Sequence, residues 1–220
     1  MPHQELDWDS VFFGFKVAII TNQTLSNDDL AKLLKQLKKQ NIRLAYWPTQ
    51  QTLSPSELID SRGLLVDVKC TFKTKLRPNS NISTSIQEQN EAYVIEPYST
   101  KVSSEALEEL AILSGQYSRF ATDPNIEHHK FIELYKQWIH KSMQKEIADE
   151  VLIVREGKHL AGMITLGEKN GYGDIGLLAI SQRYQGKKYG VKLVKAAKIW
   201  CIEHGFEYGQ VITQQQNIAA

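Results

Sequence analysis

Cysteine is scarce in this chain: Cys70 and Cys201 are the only two in 220 residues, far apart and each inside an apolar pattern. Such spacing points to buried free thiols rather than a disulfide. Charge of one sign is also missing. Twenty-six Lys and Arg face 25 Asp and Glu, for a net charge of +1. No overall field then draws the chain to nucleic acid or an anionic membrane, and any anion must be caught by a local site. No apolar run is long enough to span a bilayer, and no N-terminal segment joins a basic stretch to an apolar one. A reducing cytoplasm is the location that fits. Repeats and low-complexity segments are absent too. What remains is ordinary: 42% apolar and 23% charged residues, enough for one large domain or two small ones with real cores.

The first third alternates strands and helices. Lys16–Ile20 is β-rich, and Asn27-Asp28-Asp29 opens a helix with Leu30, Leu33, Leu34 and Leu37 on one stripe. A strand follows over Ile42–Trp47, then a short helix from Ser54-Pro55, then a long strand over Leu64–Leu76. This predicts a small β-α-β-α-β part over residues 1–76 and a linker or loop over 77–90, where no apolar period survives. A second part over 91–220 opens with a strand at Ala92–Ile95 and two helices. One carries Ala106, Leu107, Leu110 and Leu113; the other carries Phe131, Leu134, Tyr135, Trp138, Ile139 and Met143, aromatics read as core. Three meander strands, a helix from about Val191 to Glu203 and a strand over Tyr208–Thr213 complete it.

One unit carries chemistry: the strand Ile175–Ile180, the basic glycine loop Gln185-Gly186-Lys187-Lys188-Tyr189-Gly190, and the helix after it. A helix N-terminus offers unpaired amides and a positive dipole end, and glycines let backbone close around phosphate oxygens. Lys187 and Lys188 add charge there. The spacing fits neither the nucleotide-triphosphate loop nor the dinucleotide fingerprint. Read alone, a basic glycine turn is usually a plain helix entry.

The order of elements resembles that of the GCN5-related N-acetyltransferases (the GNAT family), whose pyrophosphate motif is Gln/Arg-x-x-Gly-x-Gly/Ala. It maps onto Gln185, Lys188 and Gly190, with lysine at the first glycine; the lysine would be accommodated there if its φ stays negative. The resemblance implies an α/β fold with a mixed central sheet, acetyl-CoA as cosubstrate and no metal. It places the pantetheine arm and thioester carbonyl on the backbone of Leu178, Ala179 and Ile180. A narrower likeness is to bacterial TDP-fucosamine acetyltransferases, in Leu6–Gly14, Ser118-Arg119-Phe120, Tyr135–Ile139, Gly176–Ala179 and Thr213–Ala220. It implies a small-molecule acceptor, the 4-amino group of a nucleotide-linked 4-amino-4,6-dideoxygalactose, and neither nucleic acid nor membrane as partner. It maps Asn217 onto the asparagine that contacts coenzyme A. The tyrosine that protonates the departing thiolate in that group would lie a short way past Ala220. The chain is therefore expected to be C-terminally incomplete, with little turnover and an open edge on its last strand that a homodimer would complete.

A carboxylate must take the acceptor's proton. Glu168, just after the middle meander strand, and Asp67, mid-strand in the first part, are the candidates. Arg119 could grip a sugar-nucleotide phosphate or pair with a local carboxylate. His128-His129 lacks a third ligand at sensible spacing and reads as surface. The alternatives are a GNAT enzyme for another amine (an amino acid, a polyamine or a protein terminus) and a non-catalytic module that binds coenzyme A or a partner.

Overall fold

Leucines at helical spacing give the first part its core. Leu30, Leu33 and Leu37 of α2 (Asn27–Lys39) pack with Ile20 of β2 (Val17–Ile20), each burial stabilising by about 1.5–3 kcal/mol. The helix begins where the Ser26 side chain accepts the Asp29 N–H at 3.2 Å, and its charges follow the dipole, Asp28 and Asp29 first, Lys38 and Lys39 last. The computed structural model describes residues 2–77, 88–90, 92–100 and 103–218. They divide into two compact units, Met1–Leu65 and Val66–Ala220.

In the first unit β1 (His3–Glu5) runs antiparallel to β2, and β2 runs parallel to β3 (Leu44–Tyr46). Helix α1 (Asp7–Phe13) follows β1, and α3 (Pro55–Ser61) starts from a reciprocal capping box of Ser54 and Glu57. The strand expected over Leu64–Leu76 departs from the sequence reading. Only Lys69–Lys75 (β4) is strand, and it belongs to the second unit, pairing with β10 from Lys75↔Tyr208 to Lys69↔Gln214. The boundary therefore falls after Leu65 rather than Leu76. β-Propensity marks a segment as extended without choosing its partner; β10 pairs along all of β4, whereas β1 and β3 are three residues each.

The second unit is built on a seven-stranded mixed sheet in the order β4-β10-β9-β8-β7-β6-β5. Its strands are β5 (Glu88–Asn90), β6 (Tyr93–Pro97), β7 (Glu150–Glu156), β8 (His159–Lys169), β9 (Tyr172–Ile180) and β10 (Tyr208–Gln214), besides β4. Of the segment read as a linker, 78–87 lie outside the described residues, and 88–90 are strand rather than loop. Helices α4 (Glu105–Ser114), α5 (Arg119–Thr122) and α6 (His128–Met143) precede β7, and α7 (Tyr189–Glu203) joins β9 to β10. Strand β7 is buried on both faces, as alternation requires. Val151 and Ile153 meet Leu107, Leu110 and Ile139 of α4 and α6; Leu152 and Val154 meet Leu193 and Trp200 of α7. The open edge expected on the last strand is absent, because β10 lies between β9 and β4.

Candidate active site

Strands β9 and β10 begin side by side and then part. Their parallel pairing covers only Gly173↔Gly209, Asp174↔Gln210 and Ile175↔Val211. Beyond it β9 stays with β8 as far as Ile180↔Gly162, while β10 stays with β4 as far as Gln214↔Lys69. A cleft opens between them. Alternate residues of an antiparallel strand turn both backbone polar groups away from their partner. The edge of β9 over Gly176–Ile180 therefore lines this cleft, with Leu178 and Ile180 turning backbone groups into it and Ala179 turned toward β8; the Ile180 carbonyl accepts the Gln185 side-chain amide at 3.4 Å. A bulge begins the divergence: register slips between Ile164 and Leu166, and the Leu177 N–H donates to Thr165 Oγ1 at 2.8 Å. A side chain at Gly176 would put its Cβ 2.8 Å from that same oxygen, so glycine is required there.

At the far end of β9 the chain turns through Gln182–Tyr184 into the loop and α7. No side chain caps α7, and its first-turn amides are open to an anion. Gln185, Gly186, Lys187 and Lys188 are exposed, while the Tyr189 ring is buried in the core, so Tyr189 offers only backbone to a ligand. Lys188 departs from expectation. Its φ is +62°, the left-handed conformation the family's glycine would take without cost. The backbone path is thus kept and the strain is borne by lysine, about 1–2 kcal/mol. Lys187 is engaged already: its Nζ lies 2.8 and 2.7 Å from the two oxygens of Glu156, which also accepts the Tyr189 hydroxyl at 2.5 Å. Burial first, then that carboxylate, push the Tyr189 phenol up to about 12. Asn217 sits in the turn after β10, its side-chain amide donating to Thr213 Oγ1 at 3.1 Å.

On the α6 side of the sheet lies a cavity of about 290 Å³. Trp138 and Ser142 of α6, Thr165 and Glu168 of β8, and Asp174 and Gly176 of β9 line it. Glu168 is present, but its Oε1 accepts the Gly171 N–H at 2.8 Å and so helps hold the β8–β9 turn. Asp67 precedes β4 in the second unit, rather than lying mid-strand in the first, and does not line the cavity. Its Oδ2 is buried without a hydrogen-bond partner. Around it gather cations. Burial, reinforced by Arg119 and Lys169 and opposed by Asp67, lowers the pKa of Lys69. The Arg119 guanidinium lies 4.2 Å from the centroid of the Phe120 ring, which meets Trp138 edge-on.

Asp174, Lys69 and Lys169 escaped the sequence reading. Only Asp174 left a signal, a lone carboxylate inside a strand otherwise made of apolar residues and glycine. His128 and His129 are exposed, and no group of three or more potential metal ligands exists among the described residues. Both cysteines are free; Cys201 is buried against Gly173, and burial pushes its thiol up to about 11.

The acetyltransferase (GNAT) family model matches residues 112–220, from α4 through β10. The second unit belongs to the GNAT acetyltransferase family. GNAT enzymes use acetyl-CoA as acyl donor, and the cleft and the open start of α7 fall within the matched residues. Solved structures resemble the chain along most of its length. A functionally unknown conserved protein from Staphylococcus epidermidis is 14% identical over 92% of this chain and 76% of its own, with a TM-score of 0.59. A GCN5-related N-acetyltransferase from Sphaerobacter thermophilus is 12% identical over 99% and 69%, with a TM-score of 0.55. Another from Kribbella flavida is 12% identical over 100% and 79%, with a TM-score of 0.51. At such identities these likenesses establish the fold. No curated protein matches the chain. The GNAT unit is an acyl-CoA N-acetyltransferase by family.

Proposed function

We propose that the chain moves acetyl from acetyl-CoA to the primary amine of an anionic small molecule, best fitted by the 4-amino group of a dTDP-linked 4-amino-4,6-dideoxygalactose. The observation that carries this reading is the parting of β9 and β10 beside the uncapped start of α7. Acetyl-CoA would lay its pantetheine arm along Leu178, Ala179 and Ile180 and its pyrophosphate over Gln185–Gly190, with Asn217 across the cleft. The amine would attack the thioester directly, both reactants being held in line. The backbone at the bulge could stabilise charge developing on the thioester oxygen.

The cations near Asp67 support an anionic acceptor. Lys69 feels Arg119 and Lys169 as like charges, with Asp67 opposing, and Asp174 lies close to Lys169, so cations gather on this side where burial weakens screening. A phosphate or carboxylate would relieve that repulsion, with Arg119 gripping two oxygens at once. A polyamine would meet like charge, which disfavours that alternative. Glu168 and Asp67 remain assigned to the acceptor side, Glu168 beside the amine and Asp67 among the cations.

Two measurements test this. Calorimetry is expected to show micromolar acetyl-CoA binding that weakens sharply in Lys187→Glu. Release of free coenzyme A is then compared for the dTDP-amino sugar, an amino acid, a peptide N-terminus and spermidine. Fastest turnover of the dTDP-amino sugar is the expected result, and fastest turnover of spermidine would overturn the anionic reading. Tight acetyl-CoA binding without turnover of any amine would favour the non-catalytic module.

A further inference from the structure

The sheet face that lines the cavity at Asp174 continues onto β10 and β4. Register puts Gln210 and then Lys73 beside Asp174 in one row across the strands. The next row holds Lys169, Tyr172, Tyr208 and Lys75, with the two tyrosine rings edge to face at 6.1 Å. Lys73, Lys75 and Lys169 are exposed. Lys75 is paired with Glu207 at 3.0 Å, whereas Lys73 and Lys169 make no ion pair among the described residues. The Lys73 ammonium instead lies 3.9 Å from the centroid of the Tyr172 ring. We infer that this face binds the nucleoside diphosphate part of the acceptor, its phosphates between Lys73 and Lys169 and its base on the Tyr208 ring. This rests on the acetyltransferase reading above and extends its acceptor site onto β10 and β4.

Reach decides which anion fits. Tyr172 comes four residues before Gly176 on β9, a run of about 13 Å in an extended strand. An acceptor whose amine meets the thioester near the bulge must therefore carry its negative charge far from that amine to touch Lys73. In an amino acid the amine and the carboxylate share one carbon, which is too close. In a 4-amino sugar linked through its anomeric carbon, the amine stands across the ring from the first phosphate. The second phosphate and the nucleoside reach farther still. Ammonium groups serve phosphate as point charges, so two of them suit a diphosphate. An open aromatic ring stacks any base through its π-face. Tyr208 offers one, being 38% exposed, while Lys73 already covers the Tyr172 ring.

Little on this face opposes the anion. Glu207 is held by Lys75, Glu168 spends an oxygen on the Gly171 N–H, and Asp174 keeps its Oδ1 buried. The patch is also small. Two ammonium groups and one open ring match a single nucleotide, whereas a polynucleotide needs a track of cations along its backbone.

The test uses the whole chain and dTDP, with coenzyme A saturating so that the start of α7 is filled and cannot take the probe. Calorimetry should show dTDP binding that Lys73→Glu and Lys169→Glu each weaken about tenfold or more. Tyr208→Leu should weaken dTDP severalfold and leave inorganic pyrophosphate as it was. Acetyl-CoA affinity should stay unaltered in all three, which also shows that they fold. With the dTDP-amino sugar as acceptor, Lys73→Glu should raise KM by a like factor and move kcat by no more than about twofold. No dTDP binding beside coenzyme A would overturn the inference, as would binding that neither lysine substitution changes. Acetylation of no amine, beside dTDP binding that depends on Lys73, would overturn the acetyltransferase reading and keep the nucleotide subsite. Brisk acetylation of an amino acid or a peptide without dTDP binding would do the reverse.

Discussion

The two ends of the cleft are built in different ways. At the proposed cofactor end, one short stretch, Gln185–Gly190, and the first turn of α7 would supply the anion contacts through backbone. At the proposed acceptor end, the groups would come from before β4, from α5 and α6, and from β8 and β9, spread between Asp67 and Asp174. A backbone site is contiguous in sequence because consecutive amides must converge on one ligand. A side-chain site needs only that the fold bring its members together. The first can keep its shape while its residues change, as Lys188 does in a glycine conformation; the second depends on each residue's chemistry.

The junction between the ends offers the largest test. In Gly176→Val the new Cβ would press on Thr165 Oγ1, the acceptor for the Leu177 N–H that holds the bulge. Turnover should fall about 10²-fold, because an ångström of misplacement between reactants costs that much. Unaltered turnover would mean that the bulge does not align the two substrates, and the contrast between the ends would lose its hinge.

Lys187 is the exception at the cofactor end, a side chain held by Glu156. Lys187→Glu should weaken acetyl-CoA binding about 10–100-fold, the worth of one charge-assisted contact of about 1.5–3 kcal/mol. Glu156→Gln should tighten it by up to about fivefold, since an exposed ion pair holds back about 1 kcal/mol at most. Calorimetry on both variants decides how far backbone alone binds the pyrophosphate. Binding that neither substitution moves would make this end a backbone site without qualification.

The acceptor end leans on a tie between α4 and α6, because α6 carries Trp138 and Ser142 into the cavity. Glu108 accepts from Ser103 and contacts His140 at 2.9 Å and Lys136 at 3.0 Å. Ser103, then Lys136 and His140, hold its carboxyl down to about 2. A carboxyl depressed in the folded state adds stability that is fully present above its unfolded pKa, near 4.5, and is lost as pH falls toward about 2. His140 and Lys136 are half-exposed, so screening reduces the contribution to about 1–2 kcal/mol. Glu108→Gln should therefore be less stable by that amount at pH 7 and should match the unaltered chain near pH 2, as read by urea unfolding. An equal gap at both pH values would mean that the tie is packing rather than charge.

How much of this was legible follows the same division. The leucine stripe of α2, the aromatics of α6 and the meander were readable because burial imposes a period, and the loop before α7 because its residues are consecutive. The partner of β4 was not readable, since alternation is the same whichever sheet a strand joins; that moved the boundary to Leu65 and covered the edge of β10. Short α5 carries too few residues to show a period. Asp174 could be seen but not ranked, because nothing in Gly173-Asp174-Ile175-Gly176 tells which face of β9 a cavity adjoins.

Lys188 gives the smallest effect and the sharpest separation of backbone from side chain. Its φ of +62° costs a lysine what it does not cost glycine, although glycine also makes the unfolded chain more flexible. Lys188→Gly should thus stabilise the fold by about 1 kcal/mol or less, seen as a small rise in Tm. If acetyl-CoA affinity is kept while Tm rises, position 188 serves by its backbone path, and the cofactor end is what its continuity in sequence implies. If affinity drops about tenfold, the Lys188 ammonium binds phosphate in its own right. Lysine at a strained glycine position would then be a working exchange of stability for charge, and the cofactor end would depend on side-chain chemistry as the acceptor end does.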